Sequence, residues 1–149
     1  MIRCYRLSSA RYPSHSGKGA ALRGGRWYPK GVEAIYAAAT PSLAVVEILV
    51  NVTILPRDFV LTEIHIPGRV ELEFVAAEDL PRGWKSPSPG RATQEFGRRW
   101  VHQLRSAVLD VPSAVVPIER NFVINPLHPD FPRIQFLPPL TFRFDPRLK

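Results

Sequence analysis

Sixteen prolines are spread along this chain of 149 residues, and they limit the length of every regular element. Most of them fall between segments with helical or alternating periodicity. Proline lacks a backbone N–H and interrupts helix interiors and central strands, so this distribution predicts short elements joined by many turns. The length fits one domain over residues 1–149 with a single hydrophobic core.

Periodicity in the first half predicts strands around one helix. "IRCYRLS" and "VEAIYAA" are predicted strands, and Thr40 followed by Pro41 predicts the start of a buried helix that runs to about Val50. "FVLTEIHI" and "RVELEF" alternate with period two, which predicts a strand pair joined by a turn at Pro67 and Gly68.

The second half shows one further helical pattern. Phe96, Trp100 and Leu104 have helical spacing, which predicts an amphipathic helix from about Thr93 to Ala107. A surface loop is expected over residues 81–94, and the segments "SAVVPI", "NFVINP" and "PLTFRF" are predicted short strands. Strands before, between and after two helices predict a mixed α/β (α+β) domain.

Charge and cysteine content limit the functional classes. The formal charge of +7 makes an anionic partner plausible, and a basic nucleic-acid-binding or RNA-cleaving protein is one alternative. The basic residues form no long run, however, and acids are interspersed with them. With a single cysteine, no signal peptide and no membrane-spanning segment evident, we expect a cytoplasmic protein with no membrane association.

One carboxylate stands alone in a long apolar stretch. From Ala34 to Pro56, Glu47 is the only charged residue, and its neighbours on the predicted helix are apolar on every side. Burial of an unpaired carboxylate is costly, so Glu47 must be paired, be neutral or open into a cavity. Two interpretations follow from the residues alone: a core salt bridge to an arginine, or a reactive carboxylate.

Four stretches resemble a known family when they are taken in order. They are "GGRWYPKG", "AIYAAATPSLAVVEIL", "VPSAVVP" and "NFVINPLHPD", and together they resemble the RES-domain toxins of Xre-RES toxin–antitoxin systems. The arginine, tyrosine, glutamate and serine of that family fall on Arg26, Tyr36, Glu47 and Ser113. The resemblance covers most of the chain.

The resemblance implies a fold similar to that of ADP-ribosyltransferases, with NAD as the substrate. It implies cleavage of the nicotinamide–ribose bond, with water or phosphate as the acceptor, and so depletion of NAD. The alternative that it leaves open is transfer of ADP-ribose to a cellular protein. It further implies a helix-turn-helix antitoxin of the Xre type as partner, and a homodimer.

Roles for the matched residues follow from that chemistry. Glu47 would stabilise the oxocarbenium-like ribose of the transition state. Arg26 would clamp the diphosphate or pair with Glu47 before substrate arrives, two options that the sequence leaves open. Tyr36 would stack on the nicotinamide or hydrogen-bond the ribose, and Ser113 would position substrate groups without acting as a nucleophile.

Other candidate residues match the family less firmly. Arg6 and Asn125 are candidate NAD-binding residues, although an exposed strand arginine and a turn-forming asparagine are the plain alternatives, and His128 lies in the same turn segment as Asn125. The histidines and Cys4 lack metal-ligand spacing, so no metal is expected. There is no GxGxxG motif, and NAD would bind in a non-Rossmann pocket.

Overall fold

A computed structural model describes all residues from 1 to 149. It contains eight strands: β1 (Ile2–Ser9), β2 (Ile35–Ala38), β3 (Phe59–Ile66), β4 (Leu72–Phe74), β5 (Val108–Pro112), β6 (Arg120–Ile124), β7 (Gln135–Phe136) and β8 (Leu140–Phe142). The helices are α1 (Lys18–Arg23), α2 (Pro41–Leu49) and α3 (Arg91–Gln103). Short 3₁₀ turns occupy Ala77–Asp79, Phe131–Arg133 and Pro146–Leu148.

All eight strands belong to one mixed sheet with the order β4-β5-β6-β2-β1-β3-β7, and β8 also pairs with β3. The β4–β5 pair is parallel and every other pair is antiparallel. The longest ladder joins β1 to β3, from Ile2 opposite Ile66 to Ser9 opposite Phe59. The predicted mixed α/β class is confirmed.

Two helices, α2 and α3, cover one face of the sheet. Leu43 and Ala44 of α2 pack in one core cluster with Leu7 and Ala38. Trp100 of α3 packs in another, whose strand residues include Leu109, Val111 and Val123. The opposite face is filled by a third cluster that includes Cys4, Ile35, Ile64, Val108 and Ile124.

Helix α2 is fixed at both of its ends. Thr40 caps the N-terminus, where its Oγ1 accepts a hydrogen bond of 3.1 Å from the Leu43 N–H, and Pro41 occupies the first turn, as predicted. At the C-terminus the Lys149 ammonium donates to the carbonyl oxygens of Leu49 and Val52. A cation at this position satisfies free carbonyls and complements the helix dipole.

Helix α3 lies against the turn that carries Arg26. A Cβ atom placed on Gly97 would lie 1.5 Å from the Trp27 carbonyl oxygen, so only glycine permits this approach. Gln94 adds a hydrogen bond of 3.0 Å from its side-chain amide to the Gly25 carbonyl. The turn is therefore held at a fixed distance from α3.

Several local predictions were wrong. Strand β4 does not pair with β3 after the Pro67–Gly68 turn; it pairs in parallel with β5. Both edges of β3 are already occupied, by β1 on one side and by β7 and β8 on the other. The segment "SAVVPI" forms bends and turns, so Ser113 follows a strand instead of beginning one.

Strand β5 and helix α1 have no counterpart in the sequence-based predictions, and α3 ends at Gln103 before the predicted Ala107. Strand β5 was not predicted because Asp110, a charged residue, interrupts an otherwise apolar segment. Asp110 is tolerated because Arg120 forms an ion pair of 2.7 Å with it. The pair, in which Asp110 is buried and Arg120 half-buried, is structural, and burial raises the pKa of Asp110 despite the opposing effect of Arg120.

Two expectations from composition can be compared with the structure. No helix here combines the length and the apolar character that crossing a membrane requires. Cys4 is fully buried, and burial raises the pKa of its thiol to about 12. Its thiolate is therefore scarce at neutral pH.

Candidate active site

The Glu47 carboxylate is held by neutral hydrogen-bond donors. The Ser113 hydroxyl donates to Glu47 Oε2 at 2.8 Å, and the Asn121 side-chain amide donates to the same oxygen. None of the ion pairs in the structure includes Glu47. The core salt bridge considered from the sequence is therefore absent.

Beside Glu47 lies a small cleft with a volume of about 30 Å³. Its lining is Tyr5, Leu7, Tyr36, Ala37, Ala38, Ala44, Glu47 and Ile48. Glu47 is the only charged residue in this lining. Because apolar walls screen charge poorly, they strengthen the field of the carboxylate inside the cleft.

Ser113 is fully buried and is not among the residues that line the cleft. Its Oγ accepts hydrogen bonds from the N–H groups of Val115 at 3.1 Å and Val116 at 3.0 Å while it donates to Glu47. This geometry makes Ser113 a group that orients the carboxylate. It offers no exposed nucleophile.

Tyr36 lines the cleft next to Glu47. Its hydroxyl oxygen accepts a hydrogen bond of 2.7 Å from the Asn121 amide. Burial, and then the nearby negative charge of Glu47, raise the pKa of Tyr36 well above its ordinary value. The phenol is therefore neutral, and its O–H proton is available to donate.

Of the two roles considered for Arg26 from the sequence, the ion pair with Glu47 does not form in this structure. Its guanidinium donates to the carbonyl oxygens of Trp84 and Ser86, each at 2.8 Å, and forms no ion pair with Glu47. Arg26 thereby ties the exposed loop after β4 to the glycine turn. It remains close enough to Tyr36 for its charge to favour the ionised phenol.

Arg6 and Asn125 do not line the cleft in this structure. The Arg6 guanidinium donates to the carbonyl oxygens of Ser14 and Ser16. Asn125 is fully buried; its amide donates to the Val101 carbonyl at 3.2 Å and its Oδ1 accepts from the Leu127 N–H at 3.0 Å. Asn125 shapes a turn, so this geometry does not support the NAD contact expected from the resemblance.

The sequence does not single out Asn121, although it lies inside the quoted "NFVINP" stretch. A signal was present, because Asn121 alternates with Val123 and therefore points to the same apolar face of the strand. A polar residue at such a position needs a buried partner. That partner could not be identified before the strand order was known.

No group of three or more His, Cys, Asp or Glu side chains is arranged to hold a metal ion. The polar side chains at this cleft are one carboxylate, one phenol, and the amide and hydroxyl that contact the carboxylate.

Comparison with known proteins identifies the family. The model of the RES domain matches residues 3–145. The chain belongs to the RES family. A RES relative named "Toxin Res", from Photorhabdus laumondii, is 41% identical over 97% of this chain and 95% of its own length. Another, from a Sphingobium species, is named "Prs ADP-ribosylating toxin" and is 39% identical over 89% of this chain and 85% of its own length. This chain is thus a toxin of the RES type.

The fold also matches a solved structure. A chain in the crystal structure of the M. tuberculosis MbcT–MbcA toxin–antitoxin complex superposes with a TM-score of 0.73. The match covers 95% of this RES chain and 84% of that chain, with 18% sequence identity. The arrangement of one curled mixed sheet and few helices is therefore shared by proteins whose sequences have diverged widely.

Proposed function

We propose that this RES toxin cleaves the bond between nicotinamide and ribose in NAD, with water or phosphate as the acceptor, and so depletes NAD. The observation that carries the proposal is the Glu47 carboxylate. It opens into an apolar cleft, is oriented by the neutral donors Ser113 and Asn121, and has no counter-cation.

The chemistry of the bond suits such a group. Nicotinamide leaves as a neutral base, and positive charge develops on the ribose ring in the transition state. A carboxylate fixed beside the ring stabilises that charge, and its hydrogen bonds are already formed before reaction. Glu47 needs no proton transfer to act in this way.

Tyr36 and Arg26 supply the contacts that would orient the substrate. The neutral phenol of Tyr36 can donate a hydrogen bond to the nicotinamide ribose. Arg26 uses part of its guanidinium on the Trp84 and Ser86 carbonyls and retains further N–H donors for a diphosphate. At about 30 Å³ the cleft is far smaller than typical ligand pockets, so it must widen to admit the nicotinamide riboside end, with the rest of NAD extending outside it.

The test is release of nicotinamide from NAD by purified protein, with and without phosphate. We expect Glu47→Gln to lower the rate by at least about 100-fold, the usual effect of removing a preorganised electrostatic group. Glu78→Gln is the matched control, because Glu78 is exposed and distant in sequence from the site. The proposal fails if the wild-type chain leaves NAD intact with water, phosphate and candidate proteins as acceptors.

ADP-ribosyl transfer to a protein is the second candidate function. It is favoured by the Sphingobium relative, whose name describes an ADP-ribosylating toxin. The same cleft would break the same bond, and only the acceptor would differ. With NAD labelled in the adenosine part, label on a protein supports transfer, and free ADP-ribose or its phosphorylated form supports degradation.

We further propose that an antitoxin of the Xre type restrains this protein in the cytoplasm by covering the cleft, and that the toxin forms a homodimer. The structural relative was solved in a toxin–antitoxin complex, which supports a partner of this class. Co-purification with the product of the adjacent gene, followed by measurement of the mass of the complex in solution, tests both proposals.

A further inference from the structure

Asn121 lies on β6, an interior strand of the sheet. Strand β6 pairs with β2 on one side and β5 on the other, and Asn121 lies opposite Ala38 and Val111 in these two ladders. Its side chain is fully buried.

The amide contacts both groups that line the reactive end of the cleft. Its Nδ2 donates to Glu47 Oε2 and to the hydroxyl oxygen of Tyr36. Its Oδ1 is buried and has no hydrogen-bond partner. An unpaired buried carbonyl oxygen destabilises a fold, so the orientation of this amide favours the two contacts at the expense of stability.

We propose that Asn121 is the positioning residue that fixes the Glu47 carboxylate and directs the Tyr36 proton into the cleft. This inference rests on the proposed cleavage of NAD. A lysine or arginine at this position would neutralise the charge of Glu47. Because an amide carries no charge, Asn121 orients Glu47 and leaves its negative charge in place. Because Tyr36 accepts from Asn121, the tyrosine keeps its own O–H free for the substrate.

The charges around Asn121 leave this arrangement intact. Tyr28 and Arg26 are the other titratable groups that influence Tyr36. Arg120 is adjacent in the chain, but it points to the other side of β6 and pairs with Asp110. No cation therefore competes with Asn121 for Glu47.

Two substitutions separate positioning from structural support. Asn121→Leu removes both donors and the unpaired oxygen at similar volume. We expect its melting temperature to stay within about 4 °C of wild type, equivalent to roughly 1 kcal/mol. We also expect kcat for nicotinamide release to fall at least about 10-fold while KM changes little.

Asn121→Asp places a second carboxyl group against Glu47. Two like charges in contact disfavour each other, so the pair retains a proton over a pH range in which a lone carboxylate does not. We expect the acid limb of the kcat profile to move upward by about one pH unit or more, with activity partly recovered at high pH. Gln103→Glu, an exposed change of the same kind, is the matched control and leaves the profile unmoved.

A nuclear magnetic resonance measurement tests the contacts without any activity. The Asn121 side-chain amide protons should exchange slowly with solvent in the wild-type chain. One should shift in Glu47→Gln and the other in Tyr36→Phe. If neither shifts, or if Asn121→Asp has the wild-type pH profile, the positioning role is wrong. Absence of nicotinamide release from the wild type would instead count against the proposed function.

Discussion

The Ser113 hydroxyl donates a hydrogen bond of 2.8 Å to Glu47 Oε2 and is buried from solvent. The two residues that the resemblance aligns with the family's serine and glutamate are thus in direct contact. This hydroxyl makes three hydrogen bonds within the protein: it donates one to the carboxylate and accepts two from backbone N–H groups. Its effect on the reaction is therefore indirect.

Ser113→Ala should slow nicotinamide release without abolishing it. Loss of one donor to Glu47, with Asn121 still present, corresponds to about 1–2 kcal/mol, or roughly 10-fold in rate. Measurement of kcat for Ser113→Ala beside Ser42→Ala, an exposed serine on α2, checks this. Complete inactivation of a folded Ser113→Ala protein would instead indicate a nucleophilic serine.

Tyr36→Phe should lower the rate by a factor that does not depend on pH. The raised pKa of Tyr36 keeps the wild-type phenol protonated beyond the ordinary tyrosine range near pH 10. The ratio of wild-type to variant kcat, about 10-fold, should therefore stay constant from about pH 7 to pH 10. A ratio that declines toward one as the pH approaches 10 would show that Tyr36 ionises normally. Tyr12→Phe provides a control outside the cleft.

Arg26→Gln should release the loop that contains Lys85. The guanidinium holds the carbonyl oxygens on either side of Lys85, those of Trp84 and Ser86. Without it, trypsin should cleave after Lys85 at least about 5-fold faster, since limited proteolysis follows local opening. Arg23→Gln, an exposed arginine at the end of α1, should leave this rate unchanged. Equal rates for both variants would mean that the loop is held by other contacts.

Gly97→Ala should destabilise the protein although it adds a single methyl group. That group would lie 1.5 Å from the Trp27 carbonyl oxygen, so α3 and the turn must separate. We expect a loss of about 3 kcal/mol, which lowers the melting temperature by roughly 6–12 °C in a domain of this size. Gly68→Ala is the matched control, because a Cβ at Gly68 meets nothing within 4 Å. Similar melting curves for the two variants would contradict the packing described for Gly97.

Elements with a strong local signal were predictable from the sequence. Helix α2 begins where Thr40 and Pro41 predict it, because capping depends on neighbouring residues alone. Strands β1 and β3 likewise follow their alternation. The pairing of β4 was not predictable, because it depends on which sheet edges remain free, a property of the whole topology.

The same distinction applies to the candidate site. Isolation of Glu47 in apolar sequence indicated that it must be paired, be neutral or open into a cavity, and the structure shows neutral hydrogen-bond partners together with a cleft. The hydrogen-bond donors to Glu47 were not predictable, because Ser113 and Asn121 lie more than sixty residues away from Glu47 in the sequence. The hydrogen-bond partners of Arg26 were not predictable either, because they lie in a loop whose sequence has no recognisable pattern.

The absence of a counter-cation at Glu47 has a consequence for which form of the proposed substrate is consumed. Oxidised NAD presents a cationic pyridinium ring, which a lone carboxylate between apolar walls attracts. The reduced form presents a neutral dihydropyridine that gains no such attraction and leaves ribose poorly. A toxin with this cleft would therefore consume the oxidised NAD of the cell and leave the reduced NAD intact.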